Sequence, residues 1–148
     1  MAKSKSNDKK VKEFFKLLGI EEKFELTENE ETIDIVMESD DPGMIIGHHG
    51  DTLDSLQLIL ALILAKENEE FKRVSLEVGD YRKSRSEYLK NLALQTKEKV
   101  ISEQREIFLP ALKPWERREV HMFLSEDSDV ITESVGEGKE RTLAVKPR

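Results

Sequence analysis

Gly43-Met44-Ile45-Ile46-Gly47-His48-His49-Gly50 decides how the first half of this chain is read. The stretch follows Asp40-Asp41-Pro42 and runs into an apolar helical pattern that opens at Leu53. An Asp ahead of a Pro starts a helix, because the carboxylate can accept from exposed amides and Pro needs no partner at the first position. Gly47 ends that helix after barely one turn. Asp51-Thr52 then caps a second helix, running to about Lys66. The glycines at 47 and 50 permit a sharp turn and the close approach of another backbone. The helix that follows offers bare amides and its positive dipole end, where a phosphate can be held. Alone, a Gly-x-x-Gly is a weak signal, and a tight turn between helices without a ligand explains it as well.

Working outward, residues 1–8 read as a disordered Lys/Ser tail. From Lys9 an amphipathic helix carries Val11, Phe14, Phe15 and Leu18 on one side and stops at Gly19. Phe24 to Leu26 and Thr32 to Met37 alternate apolar with polar residues and read as strands around a turn at Glu28-Asn29-Glu30. Phe71 to Val78 alternates again as a third strand. Ile45 and Ile46, with Ile33 and Ile35 on the neighbouring strand, are expected to line an apolar groove for unstacked bases. The helix after the glycine turn is apolar on two sides: Leu53, Leu56, Leu60, Ile63 and Leu64 make one stripe, and Leu58, Ala61, Leu62 and Ala65 another. A small domain has little to set against both, so Leu58, Ala61, Leu62 and Ala65 form a candidate contact with another chain, with simple burial the alternative.

The second half opens with a helix from Tyr81 to about Gln104. Tyr81, Tyr88, Leu92, Thr96 and Val100, with Leu89, Ala93 and Ile101 beside them, keep helical spacing, while Arg82, Lys83, Arg85, Lys90, Lys97 and Lys99 populate the other faces. A brief strand, Glu106 to Leu109, ends at Pro110. Pro114 begins a helix bearing Trp115, Val120, Phe123 and Leu124. Val130 to Val135 and Arg141 to Val145 form a hairpin around Gly136-Glu137-Gly138. The two tyrosines, Trp115 and Phe123 sit at helical spacing and are read as core. Arg117 and His121, four apart, project on one helix face. A guanidinium can fork onto a phosphate, and an imidazole can donate to one or stack on a base.

Composition narrows the function classes. The 148 residues contain no cysteine, which removes disulfides, thiolate metal sites and a Cys nucleophile, and fits a reducing, cytoplasmic setting. The longest apolar run, Leu58 to Ala65, is too short to span a bilayer, so no membrane insertion is expected. The net charge of −7 is unevenly spread. Residues 11–79 hold six Lys/Arg against seventeen Asp/Glu, whereas residues 80–125 hold ten against seven. Phosphate affinity therefore leans on the second half. No Ser/His/Asp order or phosphate-binding Gly-x-x-x-x-Gly-Lys loop is present. His48 and His49, adjacent on a turn, converge poorly on one ion even with Asp51 nearby. The sequence gives no reason to expect an enzyme, a cofactor or a metal.

The order helix, strand, strand, short helix, Gly-x-x-Gly turn, helix, strand over residues 9–79 resembles a KH domain of type II, in which the extra helix and strand precede the core. Residues 80–148, with the basic helix, Lys113-Pro114-Trp115-Glu116-Arg117-Arg118, His121 and the hairpin, look like the Arg-x-x-x-His (R-3-H) domain. The fold class expected is thus α+β. The KH unit is followed by a small α/β unit of long helix, short strand, helix and β-hairpin. The pair resembles the bacterial Jag (KhpB, SpoIIIJ-associated) family. Many members carry a further N-terminal Jag-N domain and linker, and this sequence has a Lys-rich stretch in their place.

The resemblance implies single-stranded RNA as ligand, with single-stranded DNA the alternative. It implies a chaperone or post-transcriptional role linked to cell elongation, division and wall homeostasis. It also implies a small KH-only partner (KhpA-like), or a homodimer, at the KH helix. The RNA contacts it implies are Ile46, Gly47, His48, His49 and Gly50 in the first unit, and Arg117, Arg118 and His121, with Arg82, Lys83 and Arg85, in the second. One departure stands out. The family's loop usually carries a Lys or Arg between its glycines, and two histidines add little fixed charge at neutral pH. The alternative reading is a protein-interaction scaffold whose KH unit docks a partner and binds little RNA.

Overall fold

The structure is a computed structural model that describes the backbone of residues 2–148 and the side chains of residues 5–148. The chain divides into two compact units, Met1–Tyr81 and Arg82–Arg148.

In the first unit the elements are α1 (Ala2–Leu17), β1 (Phe24–Glu28), β2 (Thr32–Met37), α2 (Pro42–Ile46), α3 (Asp51–Asn68) and β3 (Arg73–Val78). The sheet order is β1-β2-β3, with β1 antiparallel and β3 parallel to β2. Alternation decides which face is buried. Ile33, Ile35 and Met37 stand beside Val74, Leu76 and Val78 in register, and all six are buried. Helices close over that face with Val11, Phe15, Ile45, Leu53, Leu60 and Leu64. The edge amide of Leu76 donates to Gln57 Oε1 on α3 at 2.8 Å, so this strand edge is not left open at that point.

Three expectations change here. First, α1 does not begin at Lys9. Met1 and the side chains of residues 2–4 lie outside the described residues, but from Ala2 the backbone is helical. Asn7 is fully buried. Its Nδ2 donates to Glu28 Oε2 at 3.0 Å, and its Oδ1 accepts from Asn68 Nδ2 at 3.0 Å. Glu28 Oε1 in turn accepts from Lys72 Nζ at 2.8 Å. A polar network therefore ties the first turns of α1 to β1, α3 and the segment before β3. Second, the apolar groove is not built from Ile33, Ile35 and Ile45, which lie inside the core, and Ile46 packs half-buried against it. Third, Asp41 precedes Pro42 as expected but makes no side-chain cap, and α3 follows Gly50 with no side-chain cap either.

The second unit contains α4 (Tyr81–Glu103, whose first residue belongs to the first unit), β4 (Ile107–Phe108), α5 (Pro114–Leu124), β5 (Val130–Val135) and β6 (Thr142–Pro147). The sheet order is β4-β6-β5, antiparallel throughout. Its core joins Leu89, Ala93 and Val100 of α4 to Leu109, Leu112, Val120, Leu124, Val130, Leu143 and Val145. The Thr142 hydroxyl bonds to the Leu109 and Pro110 carbonyls at 3.0 and 2.5 Å, fixing the turn out of β4. Lys97 Nζ meets Asp127 Oδ2 at 2.5 Å and Asp129 Oδ2 at 3.6 Å, which anchors the loop after α5 to α4.

Candidate nucleic-acid interface

Gly47 has φ 70° and ψ −170°, a combination open essentially to glycine alone. A Cβ there would overlap the Thr52 side chain, whose own Cβ would stand 2.7 Å away. Gly50 has φ 80°, and a Cβ there would press on the Tyr81 ring, with its Cε1 at 3.2 Å. His49 also lies at positive φ, 50°. The result is one tight turn of residues 48–50 laid directly onto the start of α3. The His48 and His49 rings stand with centroids 3.9 Å apart, tilted by 31°, and both residues are exposed. The turn thus presents a pair of imidazoles beside the amide end of an 18-residue helix. Asp51 and Asp54 occupy the first turn of that helix, so a phosphate approaching it meets two carboxylates.

Leu58 (63% exposed), Ile59 (44%) and Leu62 (58%) stand on the outer side of α3, and Ala65 is half-buried beside them. Ala61, read from the sequence as part of this outer stripe, belongs to the core instead. A 3.6-residue period brings residue 61 back beside Leu53, Leu60 and Leu64.

In the second unit α5 is placed by Glu116, which is 1% exposed. Its Oε2 accepts from the Lys113 amide at 2.9 Å, closing the helix start. Its Oε1 accepts from Arg85 Nε at 2.7 Å, and Arg85 also lies over the Tyr88 ring at 4.8 Å. Arg85, named from the sequence as an RNA contact, is therefore committed to holding α5 on α4. Ser86 also bonds to Glu119 of α5.

Around α5 the helical period sets Arg117 and His121 along one edge of the buried face. Arg117 Nη1 donates to the Leu112 carbonyl at 2.6 Å and to the Arg141 carbonyl at 3.3 Å. His121 Nδ1 is 2.6 Å from Thr132 Oγ1 on β5, which holds the imidazole against the strand. Arg141 Nε donates to Ser134 Oγ at 2.9 Å. A continuous polar seam results, with Arg117 and His121 on the helix and Thr132, Ser134 and Arg141 on the hairpin. Arg118 is exposed next to it and makes no ion pair among the described residues. Beyond Arg118 on the same helix surface come Met122 and Trp115, exposed by 67% and 38%. Trp115, Phe123 and Tyr88 are thus surface groups and not the core residues that their spacing had suggested, whereas Tyr81 does pack against the first unit's core. Arg82 and Lys83 are exposed on α4.

Thr132, Ser134 and Arg141 were not recognisable from the sequence as members of the seam. The alternation of β5 marks which residues share a face, but only the fold shows that Thr132 meets His121 of α5 and that Ser134 meets Arg141 across the hairpin. Among the described residues no group of His, Asp and Glu is arranged to hold a metal ion, and no helix is long and apolar enough to cross a membrane.

Against known proteins, residues 8–78 match the KhpA/KhpB KH domain family and residues 87–147 match the R-3-H domain family. RNA-binding protein KhpB of Clostridium symbiosum is 36% identical over 120 residues, covering 81% of this chain and 54% of that protein. RNA-binding protein KhpB of Lactiplantibacillus plantarum is 33% identical over 106 residues, covering 72% of this chain and 33% of that protein. RNA-binding protein KhpB of Bacillus subtilis is 28% identical over 120 residues, covering 80% of this chain and 58% of that protein. The chain therefore spans roughly a third to somewhat over half the length of these relatives.

Proposed function

This chain belongs to the family of bacterial proteins that join a KhpA/KhpB-type KH domain to an R-3-H domain, and from that premise we propose that it binds single-stranded RNA through the α5–β5 seam of its second unit. The observation that carries the reading is the seam itself. A fixed guanidinium, an imidazole oriented by Thr132, and the unpaired Arg118 stand in line beside an exposed Trp115. Arg118 supplies mobile charge to a phosphate. His121, held through Nδ1, turns Nε2 outward to donate or accept at a phosphate or base edge. Trp115 offers a face on which a base can stack whatever its sequence. Arg117 shapes this surface by gripping two carbonyls and contributes its remaining donors, and Arg85 positions it through Glu116. The His48–His49 turn adds register for the sugar-phosphate backbone, with little fixed charge of its own. Single-stranded DNA is accommodated by the same chemistry, since the phosphates and base faces that guanidinium, imidazole and indole groups meet are common to both strands. A chaperone or regulatory role suits a grip of this kind, which favours unpaired strands over particular sequences.

A second reading has its own observation. Leu58, Ile59 and Leu62 expose a leucine-rich strip on the more acidic unit, where nothing else in the chain is needed to explain it. It suits a KH-only partner, or a second copy, in addition to RNA binding in the other unit.

Trp115 is the sole tryptophan, so its fluorescence reports directly on α5. Titrating the chain with an unstructured single-stranded RNA is expected to change that fluorescence saturably. Arg118→Ala with His121→Ala removes two charge-assisted or oriented contacts, worth ~1.5–3 kcal/mol each, and is expected to weaken binding at least tenfold. Binding equal to wild type in this double variant would overturn the assignment.

A further inference from the structure

Lys5 was read from the sequence as part of a tail and Lys9, Lys12 and Lys16 as part of a helix; α1 places all four on one continuous helix. Lys5, Lys9, Lys12 and Lys16 follow one another at intervals of four, three and four residues. At 100° per residue these positions fall within a narrow band of the helix surface, and all four are exposed. The band runs about 16 Å along the axis. The helix's opposite side holds the buried Asn7, Val11 and Phe15. Because Asn7 is tied to β1 and α3, the Lys5 end is ordered along with the Lys16 end.

These lysines are unneutralised where neutralisation would be easy. The unit Met1–Tyr81 has ten Lys/Arg against nineteen Asp/Glu. Lys10 and Lys72 do find carboxylates. None of the four band lysines forms an ion pair among the described residues. Acidic groups are within the same surface region: Asp8 flanks the band, and Glu21, Glu22, Glu25 and Glu38 line the groove that Lys12 and Lys16 share with Lys23. They weaken the local potential without pairing. Four flexible point charges in a row, with no arginine and no aromatic group among them, match a repeated anion better than a single one.

We propose that Lys5, Lys9, Lys12 and Lys16 form a phosphate-backbone track for single-stranded RNA, separate from the α5–β5 seam. The inference rests on the RNA-binding reading above. A strand in helical form presents a phosphate every ~3.4 Å along its axis, and a wider spacing when stretched. Lysines about 4.5–6 Å apart along α1 can therefore follow successive phosphates of a pliant strand. The track is blind to sequence. An anionic membrane is the less fitting ligand. The apolar side of α1 is spent on the protein core, so no hydrophobic face remains to enter lipid.

Replacing the four lysines by glutamine in the full chain removes charge and keeps helix propensity. RNA affinity is measured from about 50 to 200 mM salt for wild type, for this variant, and for Arg118→Ala/His121→Ala. Each single-strand contact contributes ~0.7 to the slope of log K against log salt, so the variant's slope is expected to be shallower by about 2–3. Affinity at the low-salt end is expected to fall by at least tenfold, while helix content by circular dichroism stays the same. An unchanged slope and affinity in the glutamine variant, with the Arg118/His121 variant impaired, defeats the track and leaves the seam standing. Wild-type chain that binds no RNA defeats both. RNA binding unaffected by the glutamines, together with lysine-dependent pelleting on phosphatidylserine vesicles, gives the band to a membrane instead.

Discussion

Glu116→Ala is the substitution with the most to lose in the second unit. The carboxylate is nearly enclosed, and both oxygens are engaged: Arg85 Nε at 2.7 Å and the Lys113 amide at 2.9 Å. Arg85's side chain is itself only 11% exposed. Alanine leaves a largely buried guanidinium with the Tyr88 ring but without its counter-charge, and it uncovers the first turn of α5. Breaking a buried pair from one side costs ~3–5 kcal/mol. A unit of this size is expected to have only ~3–10 kcal/mol in total, so the variant should be marginal at room temperature. Glu116→Gln keeps the shape and one strong acceptor, and should lose about half as much, ~1.5–3 kcal/mol. The sharper test is non-additivity. Arg85→Met alone strands the carboxylate, whereas Arg85→Met with Glu116→Leu replaces the pair by apolar volume. The double variant should therefore be more stable than either single one. Urea unfolding followed by Trp115 fluorescence reads this unit in particular, since the indole is on α5 beside Glu116. A loss below about 1 kcal/mol for Glu116→Ala would place the bridge in the range of solvent-screened surface pairs and refute the reasoning.

Other perturbations follow from the same geometry. Gly47→Ala forces a side chain into a glycine-only conformation, at a cost of ~1–3 kcal/mol, and into Thr52 as well, so it should lower the thermal stability of the first unit. His48→Ala, at an exposed position, should leave that stability unchanged, which makes it the cleaner probe of RNA contact; equal melting temperatures for the two variants would contradict this. Asp127's carboxyl is held below the usual carboxylate range, chiefly by the Lys97 hydrogen bond, and Lys97 is held above its usual value by the same bond. The depressed Asp127 stabilises above the ordinary Asp value of ~3.9 and loses that contribution as pH falls through its folded value. The raised Lys97 stabilises below ~10.4 and loses its contribution on the alkaline side. Lys97→Met should thus lower the urea midpoint at pH 7 and approach wild type as acidification protonates Asp127, and a gap that stays constant on acidification well below the ordinary Asp range would count against the pair. Leu58→Glu with Leu62→Glu should shift any dimer or KH–partner complex to monomer in light scattering, with RNA affinity of the monomer unchanged.

Much of the fold was legible because its elements are short and sharply punctuated. Pro42, Gly47 and Pro114 mark helix ends by steric rules that act locally, and β2 and the Pro42–Ile46 helix fall where those rules put them. What was not legible depends on partners distant in sequence. Nothing near Asn7 announces that it will be buried, because its partners are at Glu28 and Asn68. The six-residue stretch before it reads as any Lys/Ser tail in the sequence. Arg85 misleads for the same reason. A cation on a basic helix reads as a nucleic-acid contact, and only the pairing with Glu116, 31 residues on, converts it into a positioning group. Trp115 and Phe123 misled in the other direction, since spacing cannot tell which side of an amphipathic helix an aromatic group takes when both sides hold apolar residues.

The glycine turn that identifies the first unit illustrates how structure and charge separate in this chain. Both glycines are demanded by the turn itself, Gly47 by Thr52 and by its own backbone angles, Gly50 by Tyr81. Their presence would therefore be required even if no strand ever touched them. The exposed side chains of the turn are the imidazoles of His48 and His49. Comparing Gly47→Asp with Arg117→Ala/His121→Ala would confuse folding with binding on both arms, because Gly47 supports the turn and Arg117 grips two carbonyls. The informative comparison keeps every structural bond and changes only the exposed groups: His48 and His49 in the turn, Arg118 in the seam, and the lysines of α1. If binding is a sum of such fixed charges, the His48→Ala/His49→Ala variant should change affinity about threefold or less, while Arg118→Ala and the lysine variant each change it by about tenfold or more. A turn variant that loses most affinity would show that hydrogen bonding and stacking by the two rings outweigh the charge of Arg118 and the α1 lysines in this protein.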